Sequence, residues 1–167
     1  GPGLFPALRF VGAKTAYVDG AGAGGTALNL YVDGRQIDID PAANLSRNTW
    51  MGHFGSDGNA YLCGYQGTRL DKCGQSPGFV TLPYTARSIC EVAGKIYVAC
   101  DNRRIIEINM GAMSIDRTWQ VAGTQNFITS ISKYSETELI ALCDGIDSFA
   151  GDLGKHHIIN IASGLVT

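Results

Sequence analysis

A seven-residue segment, KIYVACD at 95–101, recurs along this chain, and that recurrence limits the fold more than any other feature. Similar segments stand at 14–20 (KTAYVDG), 59–65 (NAYLCGY) and 138–144 (ELIALCD). Counted from Tyr17, Tyr61, Tyr97 and Ile140, the spacings are 44, 36 and 43 residues. A period near ~40 residues marks units that each form one supersecondary element and stack on their neighbours to bury a shared core.

The stretch around the template shows what the unit is. Ser88–Val92 reads as a first strand, and Ala93-Gly94 as a hairpin turn in which Gly accepts positive φ. Lys95–Cys100 is a second strand, apolar almost throughout and therefore expected to be buried on both faces. After a turn at Asp101-Asn102, Arg104–Asn109 alternates, with Ile106 and Ile108 on one face and Glu107 and Asn109 on the other. Gly111–Ser114 turns the chain again, and Ile115–Val121, with Trp119, completes the set. Four antiparallel strands in roughly 35–40 residues make one β-propeller blade.

Extending the template predicts an all-β, single-domain β-propeller of four blades, at about 4–46, 47–84, 85–123 and 124–167. The predicted strands are Ala7–Val11, Thr15–Val18, Ala27–Val32 and Gln36–Ile39 in blade one, then Thr49–Phe54, Ala60–Gly64, Arg69–Lys72 and Phe79–Leu82 in blade two. Blade four takes Phe127–Ser132, Glu138–Cys143, His157–Ile161 and a stub at Leu165–Thr167. A rival register pairs Trp50 with Trp119 and makes Leu28–Val32 a second strand. It leaves too few residues before Tyr61 for an intervening first strand. Four blades close as one tight ring, form half of an eight-bladed dimer, or belong to a larger array of which this chain is a fragment.

The 22 glycines, about 13% of 167 residues against a usual ~7%, fit a turn-rich β protein. A net charge of −2 excludes general nucleic-acid binding, which needs a basic surface. No apolar run reaches the ~18 residues of a membrane span. The opening Gly1-Pro2-Gly3 has the look of a tag-cleavage scar, and no signal peptide is read. Cys63, Cys73, Cys90, Cys100 and Cys143 are odd in number and lack C-x₂-C spacing. Two-residue turns place Cys90 opposite Tyr97 and Cys63 opposite Leu70, so neither Cys90–Cys100 nor Cys63–Cys73 is set for a disulfide. They read as small buried hydrophobes, which favours the cytoplasm or a virion over secretion.

IYVACDNRRIIEIN (96–109) resembles the YVTN, NHL and quinoprotein class of β-propeller repeats. The resemblance covers blade three well, blade four in part (LIALCDG, HHIINIASG) and the first half loosely. No Trp-Asp dipeptide occurs, which argues against WD40 repeats. The resemblance implies a radial array that binds through its central channel or loop faces, and its fold alone leaves function open.

Candidate sites lie where the chain departs from the template. The connection from Asp144 to His157 is the longest interruption inside a blade, and Asp144, Asp147 and Asp152 could gather oxygen ligands for calcium. Their spacing does not match an EF-hand loop, and Asx turns in a solvated loop are the plainer reading. Adjacent His156 and His157 point to opposite faces of a strand, one inward and one exposed. His53 with Asp57 could form a general acid–base pair. Gly20–Gly25 lacks the Lys-Ser/Thr ending of a phosphate loop. Trp50, Trp119, Arg103 and Arg104 are candidate ligand-binding residues, the tryptophans as sugar-stacking platforms or as packing between blades. The leading expectation is a non-enzymatic interaction or assembly module, as in a virion or phage tail, that binds a protein partner or its own copy. A glycan-binding propeller and a metal-dependent hydrolase or lactonase using Asp144, Asp147 and His156 are the alternatives.

Overall fold

The computed structural model describes residues 7–11, 14–20, 28–32, 35–37, 49–64, 67–121, 128–143 and 156–167. The described residues form fifteen antiparallel β-strands, in two compact units, Gly1–Leu82 and Pro83–Thr167. The first unit holds β1 (Ala7–Val11), β2 (Lys14–Gly20), β3 (Leu28–Val32) and β4 (Arg35–Ile37) in one sheet. Its second sheet is β5 (Thr49–Phe54), β6 (Ala60–Gly64), β7 (Arg69–Cys73) and β8 (Gly78–Thr81). The second unit has β9 (Ala86–Val92), β10 (Lys95–Cys100), β11 (Arg104–Asn109) and β12 (Ser114–Gln120), then β13 (Ile128–Ser135), β14 (Glu138–Cys143) and β15 (His156–Asn160). Every sheet is a meander in chain order, the arrangement of a propeller blade. Leu28–Val32 lies between β2 and β4 as a third strand, which rules out the rival register.

Blade four has three full strands, and the stub serves as a rudimentary fourth. Val166 bridges Ile159, and Ile158 and Thr167 exchange backbone hydrogen bonds of 2.8 and 3.0 Å. Local chemistry sets the turns. Ala93 and Gly94 both adopt positive φ, 49° and 74°, as a two-residue hairpin turn demands. The Ile-Asn endings of β11 and β15 explain themselves through capping. Asn109 Oδ1 accepts from the Gly111 and Ala112 amides, and Asn160 Oδ1 accepts from the Ser163 amide. Each asparagine thus fixes the turn that follows its strand.

In the second unit the two sheets pack face to face. Tyr97, Ala99 and Ile105 meet Ile128, Ile131, Leu139, Ala141 and Ile159, all nearly or fully buried. Complete burial of a side chain the size of leucine stabilises the fold by about 1.5–3 kcal/mol. The first strands of the two blades touch, and the Ile131 amide donates to Ser88 Oγ at 3.0 Å. As expected, β10 is buried on both faces. Cys90 pairs with Tyr97 and Cys63 with Leu70 across the ladders, and Cys63, Cys73, Cys90 and Cys100 form no disulfide. Burial, with the charge of Glu91 adding to it, pushes the Cys90 thiol up to about 12, so it is no nucleophile at neutral pH.

Candidate functional site

The first strands of three blades share a defect that repeats at one position. On β5, Thr49 faces Gly64 and Met51 faces Cys63, so Trp50 is an extra residue without a partner across the ladder. On β9, Ala86 faces Cys100 and Ser88 faces Ala99, which makes Arg87 the extra residue. On β13, Ile128 faces Cys143 and Ser130 faces Leu142, leaving Thr129. The β1–β2 pairing runs without such a break. A bulge of this kind bends its strand and re-aims one side chain, and bulges are over-represented beside binding sites. Each stands where the second strand ends and its connection to the third begins. The corresponding end carries Trp50 in blade two, Arg87 and the Asn102-Arg103 turn in blade three, and the anchors of the Asp144–His157 connection in blade four.

In blade three the end is basic. Arg87 Nε donates to Asp101 Oδ1 at 2.7 Å and Nη2 to Oδ2 at 3.3 Å, tying the bulge to the turn. Asn102 and Arg103 both take positive φ, 57° and 58°. Asn tolerates that region, whereas an arginine there costs about 1–2 kcal/mol. The Arg104 guanidinium lies 5.4 Å from the Tyr84 ring centroid, and its Nε is buried with no hydrogen-bond partner. Among the described residues no carboxylate pairs with Arg103 or Arg104. Glycine would suit position 103 better, although it loses more entropy on folding. Arg103→Gly is therefore expected to raise stability by about 0.5 kcal/mol, read as a higher urea midpoint.

Trp119 belongs to a different place, the face of blade three that receives blade four. Its ring stacks on Tyr97, centroids 5.9 Å apart and planes 9° from parallel, and the Arg117 guanidinium covers it at 4.5 Å. Arg117 grips Glu107 with two bonds, Nε to Oε1 at 3.1 Å and Nη2 to Oε2 at 2.7 Å, while the Tyr97 hydroxyl donates to Oε2 at 2.8 Å. Arg117 Nη1 also donates to the Ala162 carbonyl in blade four. A further bulge makes this possible. Glu107 faces Arg117 while Ile108 faces Ile115, so Asp116 is passed over and ion-pairs with Lys95 instead. Burial raises the Glu107 carboxyl, but the bonds from Arg117 and Tyr97 outweigh it and hold the group below its usual value. The Tyr97 hydroxyl is pushed up, first by burial and then by its bond to Glu107.

Blade two carries a parallel arrangement with different partners. The Tyr61 hydroxyl donates to Asp57 Oδ2 at 2.6 Å, the Asn59 amide and side chain hold both oxygens, and Lys72 Nζ lies 3.7 Å away. This carboxylate is already engaged by neighbours, which weighs against its being a base for His53. Gly74-Gln75-Ser76-Pro77-Gly78 spells G-x-S-x-G, and Ser76 has φ 55°, both features of a nucleophile turn. Here the motif joins strand β7 to strand β8, no helix follows, and no hydrogen bond reaches the Ser76 hydroxyl among the described residues. It is turn chemistry.

His156 is exposed, and His157, opposite Ala141, turns inward. Asp144, Asp147 and Asp152 lie outside the described residues, as does the side chain of Trp50. Among the described residues no group of three His, Cys, Asp or Glu side chains could hold a metal, and no helix is long and apolar enough to cross a membrane. The bulges and the Glu107 cluster do not follow from the strand pattern. A shift in the inward–outward phase between Ala86 and Ser88 is the available signal for the first.

No family model and no curated protein matches the sequence. Solved structures do match in fold. The WD40 domain of Neurospora crassa Pan2 superposes with a TM-score of 0.66 at 10% identity, over 96% of this chain and 50% of that one. A streptogramin B lyase gives 0.68 at 14% identity, over 97% and 53%. The WD40 β-propeller domain of Doa1 gives 0.67 at 9%, over 96% and 51%. The fold is thus that of β-propeller repeats, and the chain spans about half the length of these structures. WD40 domains share that fold here without the Trp-Asp dipeptide, although Gly52-His53 supplies a Gly-His pair.

Proposed function

We propose that this β-propeller chain is an interaction and assembly module that holds an acidic segment of a protein partner at the bulged end of blade three. The observation that carries the reading is the pair Arg103 and Arg104. One arginine occupies a backbone conformation that favours glycine, and the other has a buried Nε with no acceptor. Holding two cations there with no carboxylate paired to them costs stability, since Asp101 is taken by Arg87, and strained residues cluster at binding sites. A carboxylate side chain from a partner would pair with the exposed part of the Arg104 guanidinium and neutralise Arg103. The WD40 neighbours favour a protein-interaction role in general terms, and a virion or phage tail is the setting proposed for it.

The test uses a fluorescein-labelled glutamate-rich peptide and anisotropy at low and moderate salt. Wild type is expected to bind, with affinity falling as salt rises. Arg103→Gly combined with Arg104→Gln is expected to weaken binding at least tenfold while the fold persists. Equal affinity for the double variant, or no binding by wild type, overturns the reading. A second reading, glycan binding, draws on Trp50 alone, because its bulge sits at the corresponding end of blade two. Glycan-array signals lost in Trp50→Ala would favour it over the acidic segment.

A further inference from the structure

We propose that Arg87 and Asp101 set how many carboxylates the bulged end of blade three accepts from its partner, and that the number is two. The inference rests on the acidic-segment reading above and adds the feature that selects among such segments.

The turn is held so that its charges stay together. The Asp101 amide donates to the Thr85 carbonyl at 2.9 Å, and the Val121 amide donates to the Arg103 carbonyl at 2.8 Å. The Arg104 amide closes the turn on the Asp101 carbonyl at 3.4 Å. The backbone is thereby pinned to the entry of β9 on one side and to the exit of β12 on the other. Asp101, Arg103 and Arg104 stand in this one turn, and the bulge brings Arg87 to it. The turn and bulge therefore hold three guanidiniums and one carboxylate, an excess of two positive charges.

Arg87 is given over to the chain's own carboxylate. Its Nε and Nη2 both donate to Asp101, at 2.7 and 3.3 Å, which is the two-pronged pairing a partner's carboxylate would otherwise form. The two side chains are 28% and 30% exposed, so the pair lies within reach of an incoming chain. Asp101 is thus a built-in occupant of one of three arginine positions. Arg103 and Arg104 remain, and they match a segment with two neighbouring carboxylates. A lone carboxylate leaves one of them unpaired. A third meets Asp101 where it would need Arg87, at like charge.

Anisotropy on the full chain tests this with three fluorescein-labelled peptides of equal length, carrying one, two or three consecutive glutamates among serines. In wild type at low salt the second glutamate is expected to tighten binding roughly fivefold, and the third by less than about twofold. Asp101→Asn releases Arg87, and the third glutamate is then expected to add roughly fivefold as well. Arg87→Gln leaves Asp101 beside Arg103 and Arg104 alone, and the second glutamate is then expected to add less than about twofold. Circular dichroism checks the fold of each variant, and if one fails to fold the other decides. A third glutamate that gains nothing in Asp101→Asn, or a second that keeps its full gain in Arg87→Gln, overturns the proposal. Wild-type binding in those cases leaves the acidic-segment reading standing, whereas a wild type that binds none of the three peptides overturns both.

Discussion

Glu107→Ala is expected to lower unfolding free energy by about 3 kcal/mol, measured by urea denaturation at neutral pH. The carboxylate is 4% exposed and accepts three hydrogen bonds, two from Arg117 and one from Tyr97. Removing one partner of a buried ion pair costs about 3–5 kcal/mol because the other charge is left behind. The Arg117 side chain is 39% exposed and can turn toward water, which places the cost at the low end. The Tyr97 hydroxyl cannot turn away so easily, and its orphaned buried donor keeps the cost from falling below that low end. The effect carries a pH signature. The folded carboxyl sits below its ordinary 4.5, so its stabilisation is complete above that value and is lost as pH falls through the folded value. Wild type should therefore lose its advantage over Glu107→Gln below about pH 4.5 and keep it undiminished at pH 6 and above. A gap that stays constant from pH 6 to pH 3 would show that charge is not what holds this cluster.

Gly164→Ala is expected to cost about 2–5 kcal/mol for two separate reasons. The residue has φ 70°, which a Cβ makes unfavourable by roughly 1–2 kcal/mol. The added carbon would also lie 2.8 Å from Trp119 Cδ1 and Nε1. That ring cannot yield freely, because Tyr97 stacks on it and Arg117 covers it. Overpacking of this sort adds about 1–3 kcal/mol. Gly58→Ala separates the two contributions. Gly58 has φ 82°, and a Cβ there would meet nothing within 4 Å, so only the backbone cost of roughly 1–2 kcal/mol applies. Tryptophan emission should shift in Gly164→Ala and stay put in Gly58→Ala. Equal costs for the two substitutions would mean that Trp119 yields without penalty.

Most of the strand order is legible because short-range chemistry writes it. Gly and Asn at the turns, apolar second strands and the Ile-Asn endings of β11 and β15 each act within a few residues, so the template transfers in part from blade to blade. Three features are not legible, all for the same reason. Alternation starts β9 at Ser88, whereas the strand begins at Ala86, because Arg87 breaks the phase. Alternation also sets Glu107 on the face opposite Ile106 and Ile108, but it says which residues share a face and not whether another sheet covers it. Plain hairpin counting would set Glu107 against Asp116, a repulsive pair, and only the extra residue brings Arg117 into position. A bulge is an event between two strands, invisible to a pattern read along one. Of the candidate ligand-binding residues, Arg103 and Arg104 fall at the bulged end and Trp50 on a bulge, while Trp119 lies between sheets. The aspartates proposed for calcium fall outside the described residues.

The three matching bulges have a consequence for how the chain finds its pairing. A regular hairpin can slip by two residues and keep every side chain on its proper face, so alternation alone does not forbid the error. The unpaired residue at Trp50, Arg87 and Thr129 removes that freedom. A slipped ladder would carry the kink into the middle of the strand and flip the phase of everything beyond it. Each bulge is thus an index mark that tells one strand where its neighbour must begin. In a chain built from variants of one unit, where every blade offers hairpins of the same plan, such marks discourage a blade from accepting another blade's hairpin as its own.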